Sequence, residues 1–260
     1  MYLHAMISID VIPPTVTIWQ PLAFVHLGSA RILCNKAVEF EAKYNTSQQN
    51  LHPYWACVTG SIFASASFQE AVINETFLRA VKQAKGEPLD NFLQRLPPTA
   101  IASMAKAWEN GVDWSNEPFL PPFLTCKYRR RPAWWSVLDK YQLALYFADK
   151  PHYEKLFDRT GKFWEDLVCL KELRNSLTHH AAEIISFPPN GDPYEAETQR
   201  TTTLLRDLLK RNLTSALYGR GSILSFLGSK CANWAVELST ALVREFRDRM
   251  TLDPASIPGL

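Results

Sequence analysis

From about residue 22 the apolar positions recur every three or four residues, the spacing that turns one face of a helix toward a core. Segment 22–44 carries Leu27, Ala30, Leu33, Ala37 and Phe40 at those spacings, with Val38 beside them. Segment 54–85 runs through Val58, Ile62, Ala66, Val72, Ile73, Phe77 and Val81, and Gly86 with Pro88 predicts its stop. Over 89–110 the pattern predicts two short helices broken at Pro97-Pro98, the second opened by Pro97-Pro98-Thr99. Gly111, Pro118, Pro121, Pro122 and Pro132 make 111–132 the least regular interior stretch. A helix over 133–148 comes next, then a long helical segment over 152–186 with a break expected near Gly161. Residues 186–193, with Pro188-Pro189-Asn190-Gly191, read as a loop. Helices over 197–212 and 229–250 close the pattern.

The first 20 residues read differently. Ile7-Ser8-Ile9-Asp10-Val11-Ile12 and Thr15-Val16-Thr17-Ile18-Trp19 alternate and are β-branched, which predicts two short extended segments around Pro13-Pro14. The whole pattern predicts an all-α fold: a helical bundle with a short extended N-terminal element. Three parts are expected: an arm or hairpin over 1–21, one helical domain over 22–250 with a helical and irregular insertion around 86–132, and a tail over 251–260.

Composition narrows the picture. With 47% hydrophobic residues in 260, a sizeable core is available, and a net charge of +2 excludes an overall polybasic field. Contact with nucleic acid would need a local patch. Lys127, Arg129, Arg130 and Arg131, beside Tyr128, Trp134 and Trp135, supply one that could grip an RNA backbone and stack a base. A charge run on a loop is more often simply solvated. Five cysteines stand singly (Cys34, Cys57, Cys126, Cys169, Cys231), which predicts ordinary thiols in a reducing, cytoplasmic setting. No secretory signal is visible, and the densest apolar stretch read from the sequence, 133–148, is interrupted by Asp139 and Lys140, so no membrane is expected as a partner. Carboxylate pairs such as Glu165-Asp166 have no histidine at metal-ligand spacing, and no phosphate-binding loop is present. Neither a metal nor a cofactor is therefore expected. Trp114, Trp134, Trp135 and Trp164 read as core aromatics.

One segment speaks of chemistry. Leu170-Lys171-Glu172-Leu173-Arg174-Asn175-Ser176-Leu177-Thr178-His179-His180 sets an arginine, an asparagine and a histidine within six residues of one helical pattern. At about 100° per residue, Phe163, Leu167, Leu170, Leu173, Leu177, Ala181 and Ile184 share a core stripe, while Asn175 and His179 lie roughly opposite. Arg174 projects near an edge of the stripe. Trp164, Val168 and Ala182 flank Asn175 and His179, so this second face should also pack, against another helix or against a second copy of the chain. A homodimer is the preferred expectation, because two copies of Arg174 and His179 would then share one cleft. A guanidinium and an imidazole held this close suit metal-free cleavage of a phosphodiester.

Arg174-Asn175-Ser176-Leu177-Thr178-His179 resembles the R-N-x-x-x-H motif of the HEPN superfamily (higher eukaryotes and prokaryotes nucleotide-binding), an all-α fold that includes toxin and defence ribonucleases. Ser67-Phe68-Gln69-Glu70-Ala71-Val72-Ile73-Asn74-Glu75 resembles that family's earlier helix, which often adds a polar group to the site. The final helix, with Cys231-Ala232-Asn233-Trp234-Ala235-Val236, resembles the segment after the motif in bacterial members. Only 174–179 is motif-grade. The resemblance implies an endoribonuclease that uses no metal: His179 as general acid or base at the ribose 2′-hydroxyl, Arg174 against charge developing on phosphorus, and Asn175 orienting His179 or bonding phosphate. Glu70, or Asn74 one turn later, would be the helix-two partner, and Lys171, one turn before the motif, a phosphate contact. The implied partners are RNA and an antitoxin or defence-system protein. One departure stands out: some members carry a tyrosine two residues beyond the histidine that a partner nucleotidyltransferase adenylylates, and here that position is Ala181. His180 has no family role. Two other readings stay open: a non-catalytic HEPN-like RNA-binding or scaffold protein, and a helical nucleic-acid adaptor using 127–131.

Overall fold

The 33 residues from His52 to Ala84 form one helix, about 50 Å long at about 1.5 Å per residue, and most of the other helices pack against it. The computed structural model describes residues 22–44, 51–87, 93, 96–112, 135–148, 155–178, 201–214 and 227–250. Among them are seven helices and no strand: α1 (Leu22–Tyr44), α2 (His52–Ala84), α3 (Pro98–Asn110), α4 (Val137–Ala148), α5 (Lys162–Thr178), α6 (Thr201–Lys210) and α7 (Ser229–Arg249). An isolated antiparallel bridge joins Thr214 to Leu227. The fold is all-α.

Helix α2 ends where its sequence says it must. Gly86 adopts φ 82°, the left-handed conformation that costs glycine least. Its N–H donates to Gln83 O at 3.0 Å, and the Glu87 N–H to Lys82 O at 3.1 Å, a Schellman closure of the last turn. Over 18 residues α2 reaches a mean hydropathy of 1.2, so by length and composition it could cross a membrane. Among the described residues it, rather than 133–148, is the candidate span. Here it packs against α1, α3, α4, α5 and α7, and two of its buried polar side chains, Ser61 and Gln69, bond to neighbouring helices. Ser61 Oγ donates to Ala30 O of α1 at 2.9 Å, and Gln69 Nε2 to Ser239 Oγ of α7 at 2.9 Å. Gln69 O accepts from the Tyr141 hydroxyl of α4 at 2.8 Å.

Helix α4 begins four residues later than the apolar pattern predicts. Ser136 caps the helix there: the Asp139 N–H donates to Ser136 Oγ at 3.3 Å, and that hydroxyl donates to Asp139 Oδ2 at 2.6 Å. Every residue from Leu138 to Ala148 is buried. Gln142 spends both ends of its amide on one residue of the segment leading into α5, giving to Phe157 O at 2.9 Å and accepting from Phe157 N at 3.0 Å. The expected break near Gly161 is present, because α5 starts at Lys162. Helix α6 ends at Lys210, two residues before the expected 212: Arg211 and Asn212 turn out of it, Asn212 at φ 54°. The N-terminal extended element, most of the 86–132 insertion, the 186–193 loop and the C-terminal tail lie outside the described residues.

Candidate functional site

Helix α5 carries the motif, and its core stripe is as the periodicity predicts. Leu167, Leu170 and Leu173 are buried, with Phe163 and Leu177 packed against the same core. This fixes the helix about its axis. Arg174 then leaves the edge of the stripe and reaches in two directions. Its Nη1 donates to Asn175 Oδ1 at 3.1 Å, and its Nη2 lies 4.0 Å from Glu70 Oε2 on α2. Glu70, named from the sequence as the partner on the earlier helix, does sit at the motif.

Asn74, the alternative on α2, belongs to the same cluster through a residue that the sequence pattern does not single out. Lys140 of α4 donates from Nζ to Asn74 Oδ1 at 2.9 Å and stands 3.8 Å from Glu70 Oε1. The Trp108 ring of α3 has its centroid 5.9 Å from the same nitrogen. Four helices thus converge on one polar cluster: α2 with Glu70 and Asn74, α3 with Trp108, α4 with Lys140, α5 with Arg174 and Asn175. Burial pushes the Lys140 ammonium below the usual lysine range, against the pull of Glu70. The Glu70 and Arg174 side chains remain open, at 41% and 39% exposure. The only signal for Lys140 in the sequence is that it interrupts an apolar run, which says nothing of what it meets.

Asn175 acts on Arg174 in this geometry: its carbonyl oxygen holds the guanidinium. Lys171 lies one turn earlier and 3.2 Å from Glu172 Oε1, a half-exposed pair of the kind that contributes little and is readily exchanged for another anion. Thr178 Oγ1 bonds back to Arg174 O at 2.8 Å at the last residue of α5. His179 and His180 lie outside the described residues, as do Lys127, Arg129, Arg130 and Arg131.

On the second face of α5, Trp164 packs within the chain. Trp164 is 5% exposed, set against Phe157 and under the Arg159 guanidinium, with α6 alongside. Its burial needs no second copy, so Trp164 does not speak for a dimer. A cleft of about 810 Å³ runs between α5 and α6, lined in part by Trp164, Val168, Glu172, Ser176, Asp207 and Arg211. Glu165 also lines it, and Arg211 is tied to Asp166 at 2.7 Å, so its charge offers little to a phosphate chain. Arg174 and Asn175 are not among its described lining residues.

Four of the cysteines are free thiols, three of them buried. Burial pushes Cys169 up to about 11 and raises Cys34, Cys57 and Cys231 as well, so none of the four is a thiolate at neutral pH. No protein-family model, curated protein or solved structure matches this chain.

Proposed function

We propose that this protein is an endoribonuclease of HEPN type that needs no metal, acting as a toxin or antiphage-defence effector in the cytoplasm. The observation that carries this reading is the convergence of Arg174 and Asn175 of α5 with Glu70 of α2 at an exposed edge, one turn before His179 in the sequence. RNA supplies its own nucleophile. A base removes the proton of the ribose 2′-hydroxyl, the 2′-oxygen attacks phosphorus, and the bond to the 5′-oxygen breaks as that oxygen takes a proton. The products are a 2′,3′-cyclic phosphate and a 5′-hydroxyl, and DNA is not cut.

His179 serves as acid or base, since histidine is the side chain whose unperturbed titration falls near neutral pH. Arg174 faces the phosphorane charge, held in place by Asn175 and steered by Glu70. One His179 does not fill both proton-transfer roles at once, and a homodimer would set two copies of Arg174 and His179 in one cleft. Lys171 and the 127–131 patch would carry neighbouring phosphates. The test is incubation of purified protein with total RNA in chelator, with end-group analysis of the products. Cleavage that survives both Arg174→Ala and His179→Ala would end the proposal.

A non-catalytic RNA-binding or scaffold role is the second reading, and one observation favours it: the Arg174–Asn175 bond is already made within the chain. A protein of that kind binds RNA and leaves it whole.

A further inference from the structure

Helix α4 is enclosed by the rest of the chain, and its polar residues are there for identifiable reasons. Asp139 caps the helix with Ser136, and Gln142 pins Phe157. Lys140 has no such local duty. A lysine at the edge of a core ordinarily extends its stem until the ammonium meets water. This one is 1% exposed and keeps its charged end inside, against Asn74, Glu70 and the face of Trp108. A buried ammonium is a standing cost to the fold, so something other than packing accounts for its position.

The charges around it suggest a reason. Lys140 and Arg174 stand on either side of a single carboxylate, Lys140 at 3.8 Å from one oxygen of Glu70 and Arg174 at 4.0 Å from the other. Two cations share one anion, and the uncompensated charge emerges at the only exposed cation of the three groups, the Arg174 guanidinium. With Lys140 absent, Arg174 would be the remaining cation at Glu70 among the described residues. The carboxylate would then neutralise the guanidinium and repel an approaching phosphate.

We propose that Lys140 is a positioning residue of a phosphodiester-binding site: its buried ammonium engages the Glu70 carboxylate, so that Arg174 keeps a positive charge for a phosphate of RNA. The inference rests on the reading of Arg174 as the phosphate contact.

The test measures binding of a 2′-O-methyl oligoribonucleotide, which offers phosphates but no nucleophile, to the full-length protein at one fixed salt concentration. Lys140→Met keeps the stem and removes the charge. It is expected to weaken binding at least about tenfold, with a thermal midpoint no lower than that of the parent. Lys140→Arg retains most of the binding. The decisive variant is Lys140→Met combined with Glu70→Gln: with the carboxylate neutral, Arg174 is freed again and binding returns toward the parent value, which a merely structural lysine would not allow. Should Lys140→Met fail to fold, Glu70→Gln alone decides the matter, since it must bind at least as tightly as the parent. Parent-like binding by Lys140→Met, no recovery in the double variant, or no binding by the parent overturns the proposal. If RNA stays uncut while the binding pattern appears, the nuclease reading fails and the role of Lys140 stands. If RNA is cut and Lys140→Met is indifferent, the reverse holds.

Discussion

The Arg174 guanidinium lies 4.0 Å from the Glu70 carboxylate, although the two residues belong to different helices and neither is buried. At that separation the pair is an orienting contact, open to exchange with another anion. An arginine placed this way can turn toward a phosphate without breaking a buried bond.

Arg174→Ala is expected to lower RNA cleavage by roughly 10²–10³-fold, the loss typical of removing one donor to a developing oxyanion. The thermal midpoint should hardly move, because a half-exposed ion pair adds little to the fold. His179→Ala should lose a comparable amount, as expected for a general acid or base. Initial rates in chelator and a melting curve for each variant provide the check.

Asn175→Asp should be worse than Asn175→Ala. Alanine loosens the guanidinium, whereas aspartate keeps the acceptor but sets a full negative charge 3.1 Å from Arg174 that competes with the phosphate. Specific activity is expected to fall about tenfold for alanine, roughly 1.4 kcal/mol in the barrier, and further for aspartate. A near-isosteric aspartate that keeps full activity would show that Asn175 does not act through Arg174.

Lys140 gives the fold a pH dependence of defined sign. Burial lowers its folded-state pKa below the ordinary 10.5, with Glu70 opposing. Between the lowered value and 10.5 the unfolded chain therefore binds more protons than the folded one, and stability contributed by this group rises with pH across that window. Glu70 stands 3.8 Å from its ammonium, with Arg174 on the far side of that carboxylate. Lys140→Met should lack the rise. Its midpoint should match or exceed the parent's at neutral pH, and the gap should narrow as pH climbs toward 10.5.

Gln142→Leu tests what holds α5 in place. It removes both hydrogen bonds to Phe157 and leaves a buried N–H and C=O unpaired, at a cost of roughly 2–4 kcal/mol in denaturant unfolding. Because Phe157 packs on Phe163 and Trp164 of α5, activity should fall along with stability.

The sequence is informative where the cause is local. The Leu167, Leu170 and Leu173 stripe, the stop at Gly86 and the break before Lys162 arise from periodicity and backbone freedom, and the helices carrying Glu70 and Arg174 are legible from them. The late start of α4 is local too: Ser136 and Asp139 have capping-box spacing, but the apolar residues just before them hide it. The pairing of Glu70 with Arg174 comes from a family resemblance, since no periodicity links positions on separate helices. Lys140 is out of reach for the same reason. Its partners, Glu70 and Asn74, are brought to it only by the packing of α4 on α2. The apolar face at Trp164 is legible as a packing surface. Which neighbour covers it is not, because Phe157, Arg159 and a second copy of the chain satisfy the same pattern.

The central claim is that Arg174 works on a phosphodiester whose neighbouring 2′-hydroxyl is the nucleophile. The most direct measurement compares one oligoribonucleotide with the same sequence carrying a single 2′-deoxy sugar at the cleaved position, both incubated with the protein in chelator. The account predicts cleavage of the first to a 2′,3′-cyclic phosphate and a 5′-hydroxyl, and none at the modified position of the second. Equal cleavage of both, or ends bearing a 5′-phosphate, would contradict it.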